Sequence, residues 1–187
     1  MEIGGRPRFV AVVEQLHECL MEAKLWSCPH CGRVGTLVGH GLLVGYSEEG
    51  AFPVVRGRRF LCSDRHRRPG CGRTFSVLLA EVVRGFVARA RTLWEFVLAV
   101  VGGASRRAAW TATAGGSLSL ASGYRLWQRL SRAQVHIRSW LARMGSPPPS
   151  SATEPWAQLL EHLRCVFPSA GCPFLAFQDR LQVGLLG

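Results

Sequence analysis

Four of the seven cysteines in this 187-residue chain carry its most specific chemistry. Cys28-Pro29-His30-Cys31-Gly32 sets two thiols two residues apart on a tight turn, and the glycine lets backbone amides swing toward the sulfurs. Two thiolates satisfy half of a tetrahedral ion, so a second pair must come from elsewhere. Cys62 and Cys71 supply it, and Cys71-Gly72 repeats the Cys-Gly half of the first turn. Thirty residues separate the pairs, enough for a β-hairpin or a three-stranded ribbon. Eight residues lie between Cys62 and Cys71, which is long for a knuckle; His66 falls inside that interval and could replace either cysteine. His30 falls inside the first pair, where its neighbours already chelate. A redox dithiol at Cys28 and Cys31 is the other reading of this spacing, and it leaves Cys62 and Cys71 unexplained. The expected cofactor is one structural zinc ion on Cys28, Cys31, Cys62 and Cys71. Four thiolates leave no open position for water or substrate, so Lewis-acid chemistry is not expected there. Cys19, Cys165 and Cys172 have no ligand spacing and read as small buried hydrophobes.

The elements that must position these thiols follow from periodicity. An N-terminal amphipathic helix is expected over Arg8 to Trp26, within a segment 1–26, from Phe9, Val12, Val13, Leu16, Leu20 and Leu25 at helical spacing. The cysteine ribbon occupies 27–77, with strands over Thr36–Val44 and Val54–Leu61 and a turn at Ser47–Gly50. Helical periodicity returns from Val77 to Val101, read as two helices around Gly85, and Gly102-Gly103 ends it. Ser105 caps a short helix through Ala114. Gly115-Gly116-Ser117 breaks the chain before a long helix from Ser119 to Met144, so a helical domain covers 78–145. A stiff Pro/Ser linker spans 146–153, and 154–187 holds a helix at Trp156–Val166 and an apolar tail without a clear period. The fold class is α+β: a small β ribbon flanked by an N-terminal helix and a C-terminal helical region.

Charge points to the partner. The net charge is +11 and 22 of the 23 basic residues are arginines, Lys24 being the exception. Gly102 to Gly145 contains seven arginines and no acid; Arg56 to Arg91 contains ten arginines against Asp64 and Glu81. A solvated helical face normally mixes signs, and a one-sign face repels itself unless an anion neutralises it. DNA is the expected partner. The apolar run Leu93–Val101 is nine residues long and contains Glu95, against about 20 needed to span a bilayer, so no membrane role is expected. Met1–Val13 lacks the apolar stretch and cleavage site of a signal peptide, which suits a cytoplasmic, nucleoid-associated protein with reduced thiols.

The stretch CPHCG, then Arg58-Arg59-Phe60-Leu61-Cys62, then Cys71-Gly72-Arg73-Thr74-Phe75-Ser76, resembles the N-terminal zinc ribbons of bacterial insertion-sequence transposases. The similarity covers about fifty residues, Trp26 to Val77. It implies a DNA-associated ribbon followed by a helix-turn-helix and then by a catalytic domain with three acidic residues. Arg91–Val101, Ser105–Ala114 and Ser119–Leu130 have the lengths and breaks of a helix-turn-helix unit. Arg125, Gln128 and Arg129 are its expected groove residues. Arg56, Arg58, Arg59, Arg65, Arg67 and Arg68 on the ribbon are expected phosphate contacts, and Arg106 and Arg107 are expected among the DNA-binding residues. The catalytic part departs from the pattern: Asp64 and Asp179 are the only aspartates, and the glutamates are scattered. Strand transfer needs about three carboxylates converging on metal ions. The sequence therefore reads as the targeting region of a transposase, non-catalytic by itself, either truncated or partnered by a separate catalytic subunit. A module for RNA or transcription machinery and a protein-interaction scaffold are the alternatives.

Overall fold

A computed structural model describes residues 7–50, 52–65, 69–115 and 117–187. The chain is α+β and divides into two compact units, Met1–Gly45 with Pro53–Ala80 and Tyr46–Phe52 with Glu81–Gly187.

The first unit is built on a four-stranded mixed sheet of order β1-β4-β3-β2. Its strands are β1 (Phe9–Val10), β2 (Leu37–Tyr46), β3 (Pro53–Cys62) and β4 (Thr74–Leu79). β3 and β4 run antiparallel, from Gly57 opposite Leu78 to Leu61 opposite Thr74. β1 lies parallel to β4, with Phe9 opposite Leu78 and Val10 opposite Leu79. Two expectations change here. The N-terminal helix does not begin at Arg8: α1 covers Val13–Glu22, and a single 3-10 turn, Ala23–Leu25, follows. Gln15 decides the start, because its Oε1 accepts from the amides of Ala11 (2.8 Å) and Val12 (3.1 Å). The residues before that cap pair with β4, whose Leu78 and Ala80 amides donate to the carbonyls of Arg8 and Val10. Likewise Val77 and Leu79 are strand, not helix, and the next helix waits until Ala90. The alternation is visible in burial, with Val77 and Leu79 inward and Thr74 and Ser76 outward. Leu16, Cys19, Leu37 and Phe60 complete the core under the sheet. Phe60 also meets Trp26 at 5.6 Å and stacks on Phe75 at 5.4 Å.

The second unit is helical: α2 (Ala90–Val101), α3 (Arg106–Thr113), α4 (Leu120–Leu141), α5 (Pro155–Val166) and α6 (Pro173–Leu181). Ser105 caps α3 by accepting from the Ala108 amide at 3.2 Å, and Ser119 caps α4 by accepting from Ser122 at 3.3 Å. Leu126, Leu130, Ile137 and Leu141 bury one face of α4 in a core shared with Phe96, Trp110, Leu159, Phe174 and Phe177. That core draws on helices on both sides of 146–153, so α5 and α6 belong to the same unit as α2–α4. α6 falls in the tail that showed no period. Pro173 opens it, and buried Gln178 holds it by donating to the Val82 carbonyl and accepting from the Leu185 amide. Pro173 and the spacing of Phe174, Phe177 and Leu181 are the only local signals for so short a helix.

Two contacts fix the start of α2 and the α3–α4 pair. The N-cap of α2, Arg89, has no side-chain cap of its own. Glu48 supplies a carboxylate instead, accepting from the Arg89 amide at 2.5 Å and from Thr92 Oγ1 at 2.8 Å. Its negative charge also complements the positive end of the helix. Trp110 of α3 donates to the Ser119 carbonyl at 3.0 Å, and its indole covers Gly123 of α4. A Cβ at Gly123 would meet that ring at 2.6 Å, so only glycine permits this approach. Glu48→Ala should lower stability by about 1–2 kcal/mol in urea unfolding, as loss of a helix cap does. Gly123→Ala should cost about 1–3 kcal/mol through overpacking against Trp110, even though alanine is the better helix former. An unchanged midpoint for either variant would remove the corresponding contact from this account.

Candidate metal centre

β3 ends on Cys62 and β4 begins two residues after Gly72, so the end of this hairpin delivers the second cysteine pair. The first pair stands on a small turn of its own, bounded by the Ser27–Val34 bridge. The two turns share one hydrogen-bond plan. In the first, the Cys28 amide donates to the Arg33 carbonyl and the Gly32 amide to the Cys28 carbonyl, both at 2.9 Å. In the second, the Cys62 amide donates to the Arg73 carbonyl and the Gly72 amide to the Cys62 carbonyl, again at 2.9 Å. Gly32 and Gly72 adopt matching left-handed conformations, with φ of 73° and 70°. The second turn is thus the first with extra chain let in between its cysteines. That chain is pinched off at its base, where Gly70 donates to the Ser63 carbonyl at 3.1 Å and Arg33 Nη1 donates to the Pro69 carbonyl. A long interval is therefore compatible with a tight knuckle.

The sulfurs of Cys28, Cys31, Cys62 and Cys71 all lie within 4.8 Å of one another and could hold a metal ion. Two pairs that cross between the turns, Cys28 with Cys71 and Cys31 with Cys62, each stand at 3.7 Å. A disulfide would need about 2.05 Å, and all seven cysteines are free thiols. Four sulfurs about 2.3 Å from a central ion at tetrahedral angles stand about 3.8 Å apart, close to the 3.7 Å of these two pairs. Cys28 and Cys62 are buried, while Cys71 is partly open to solvent. Backbone and hydroxyl donors serve the sulfurs: His30 N to Cys28 at 3.4 Å, Cys71 N to Cys62 at 3.2 Å, and Thr36 Oγ1 beside Cys62 at 3.1 Å.

These donors shape the thiol acidities. Burial works against ionising Cys62, but Thr36, the Cys71 amide and the neighbouring thiols outweigh it and bring its pKa down to about 7. Cys71 is pushed up to about 11: the Arg73 amide favours its thiolate, yet desolvation and three thiols competing for the charge prevail. Ionising one sulfur makes the next harder, and a cation at the centre removes that conflict.

His66, Arg67 and Arg68 lie outside the described residues, so the alternative ligand and those two phosphate contacts have no placement here. Arg56, Arg58 and Arg59 lie on β3, with Arg59 exposed and the first two partly buried. The Arg58 Nε is buried without a hydrogen-bond partner. Arg65 is exposed in the loop after Ser63. In the other unit, Arg106 and Arg107 open α3, and the Arg106 guanidinium lies 5.1 Å over the Trp127 ring. Arg125, Gln128 and Arg129 are exposed on α4. Of the cysteines outside the cluster, Cys19 and Cys172 are buried as expected, whereas Cys165 is exposed. Sequence reading passed over Thr36, whose hydroxyl has no motif to announce it, and Arg132, one turn beyond Gln128 on α4. Comparisons with protein-family models, curated proteins and solved structures return no match. No helix among the described residues is long and apolar enough to cross a membrane.

Each of Cys28→Ser, Cys31→Ser, Cys62→Ser and Cys71→Ser should reduce bound metal well below one ion per chain, by elemental analysis of purified protein. Cys19→Ser, Cys165→Ser and Cys172→Ser should leave it unchanged. The pH sign follows from the ligand chemistry. Free thiols titrate near about 8.5 and a bound cation holds them far lower, so metal stabilisation is present at neutral pH and is lost as acid returns protons to the sulfurs.

Proposed function

We propose that this chain is a zinc-dependent DNA-binding protein resembling the targeting region of a transposase, non-catalytic by itself and suited to work with a separate catalytic subunit. The observation that carries the reading is the four-sulfur cluster at the end of an arginine-bearing hairpin, with all four sulfurs within 4.8 Å of one another and two of the six separations at 3.7 Å. Zinc is the ion chosen because four thiolates in a tetrahedron match its ligand preference and closed structural sites. In this reading the ion cross-links β3 and β4 to the Cys28 turn as a zinc ribbon, and Arg56, Arg58, Arg59 and Arg65 hold phosphates from it. The helices α2, α3 and α4 act as a helix-turn-helix, since α3 and α4 are capped, consecutive and locked through Trp110 and Gly123. The acid-free segment from Gly102 to Gly145 supports an anionic partner on that side of the chain.

Fluorescence anisotropy with duplex DNA tests this. The logarithm of the affinity should fall linearly with the logarithm of salt, by about 0.9 for each phosphate contact. Metal removal by a chelator should weaken binding along with the fold of the first unit. Equal or tighter binding to duplex RNA would move the reading to an RNA module, and salt-insensitive association would move it to a protein scaffold.

A further inference from the structure

The exposed face of α4 is not a plain convex ridge. It forms one wall of a cleft of about 430 Å³, and the segment around Gly85 and Phe86 forms the other. Arg125, Gln128, Arg129 and Arg132 line it, and no carboxylate does. Among the described residues no acid pairs with any of the three guanidinium groups. Arg125 reaches only the carbonyl of Ala121 in its own helix, at 3.4 Å. Three like charges on successive turns of one helix repel each other, and no carboxylate among the described residues offsets that repulsion. Of the three, Arg129 meets the facing wall. Gly85 is left-handed, with φ of 82°, and lies beside Arg129, whose Nη1 would be at an ordinary contact distance of 3.5 Å from a Cβ there. The Arg129 guanidinium in turn lies 5.3 Å over the Phe86 ring. A volume of this size lies within the range of about 300–1,000 Å³ typical of small-ligand sites. A base pair deep in a major groove is reached by a helix that protrudes, whereas a concave cationic site receives a group that projects into it.

We propose that this cleft is a phosphate-binding site, in which Arg125, Arg129 and Arg132 clamp one phosphate ester group rather than read base edges. A guanidinium offers several donors in a fixed fork that matches phosphate oxygens, and Gln128 adds a neutral donor at the same wall. The phosphate comes either from the backbone of bound DNA or from a free phosphate ester. Only the first source rests on the DNA reading above.

The whole protein is titrated with inorganic phosphate and with adenosine monophosphate while backbone amides are followed by NMR, and separately with duplex DNA over a range of salt. Both small ligands should shift amides at 85–88 and along the first half of α4, and chloride should not. Arg125→Gln/Arg129→Gln/Arg132→Gln should abolish those shifts. On duplex DNA, Arg132→Gln alone should lower affinity about fivefold and reduce the salt slope by about 0.9. Arg143→Gln, which removes the same charge from a guanidinium stacked on Trp140, should leave the slope unchanged. Small-ligand binding that depends on the three arginines supports the site with a free ester as its source when DNA binding is absent, which counts against the DNA reading, and equally when DNA binding is present but indifferent to them, which leaves that reading standing. DNA binding intact in the triple variant, with no small-ligand shifts in the wild type, overturns the cleft and leaves the DNA reading standing. A change of base preference at constant salt slope overturns it as well. Matching thermal melts for the variants confirm that these exposed side chains were removed without unfolding.

Discussion

Cys62 stands where strand, knuckle and hydroxyl donor meet, and the first unit depends on how its sulfur is held. Its amide closes the β3–β4 hairpin on Arg73, its carbonyl receives Gly72, and its sulfur takes the Cys71 amide and faces Thr36. The next amide, Ser63, donates to the Thr36 carbonyl. One buried residue thus joins β3, β4, the segment leading into β2 and the sulfur cluster. A buried thiol with that many donors is poised to be a thiolate, and a thiolate cluster is stable when a cation shares it. A small sheet with a thin apolar layer would gain from such a cross-link what a larger core supplies by burial.

The two turns that bring the sulfurs together are structurally equivalent, although their sequences differ in length. The carbonyl–amide pattern around Cys28 recurs around Cys62, with glycine at the same left-handed position and arginine next to it. The placement of the sulfurs is set by the ends of each turn, so chain let in between the ends is free to vary provided its base is closed. Gly70 and Ser63 close it here. The basic character of the inserted stretch is therefore a property the knuckle tolerates and does not require.

Arginine in this chain is used in two ways. Several guanidinium groups lie over aromatic rings, as with Arg106 on Trp127, Arg143 on Trp140, Arg164 on Trp94 and Arg180 on Phe167. Such stacking covers apolar surface and holds a charge at the boundary with water. Arg125 and Arg132 have no ring or carboxylate beneath them among the described residues, and they stand where the helical unit is concave. Counting arginines in the sequence cannot separate the two uses, because the ring that receives a guanidinium is usually on another element.

What the sequence settled on its own was local. Cys28 and Cys31 share a turn, Gly32 lets its backbone swing toward the sulfurs, Cys71-Gly72 repeats that Cys-Gly pair, and Ser105 announces the helix that begins just after it. Each depends on residues within about one turn of chain, so spacing suffices. The choice of Cys62 and Cys71 as the second pair also came from the sequence, through the repeated Cys-Gly and the need for four donors. Tertiary structure decided the rest. β1 and the far half of β4 are strands because they pair with each other, although Phe9 and Val77 sit in stretches with helical periodicity. Glu48 is a cap because the fold carries it to Arg89, 41 residues away. α6 persists because Gln178 finds Val82 across 96 residues. Backbone groups with no local partner take whatever donor or acceptor folding brings to them, and that pairing is not written in the residues on either side.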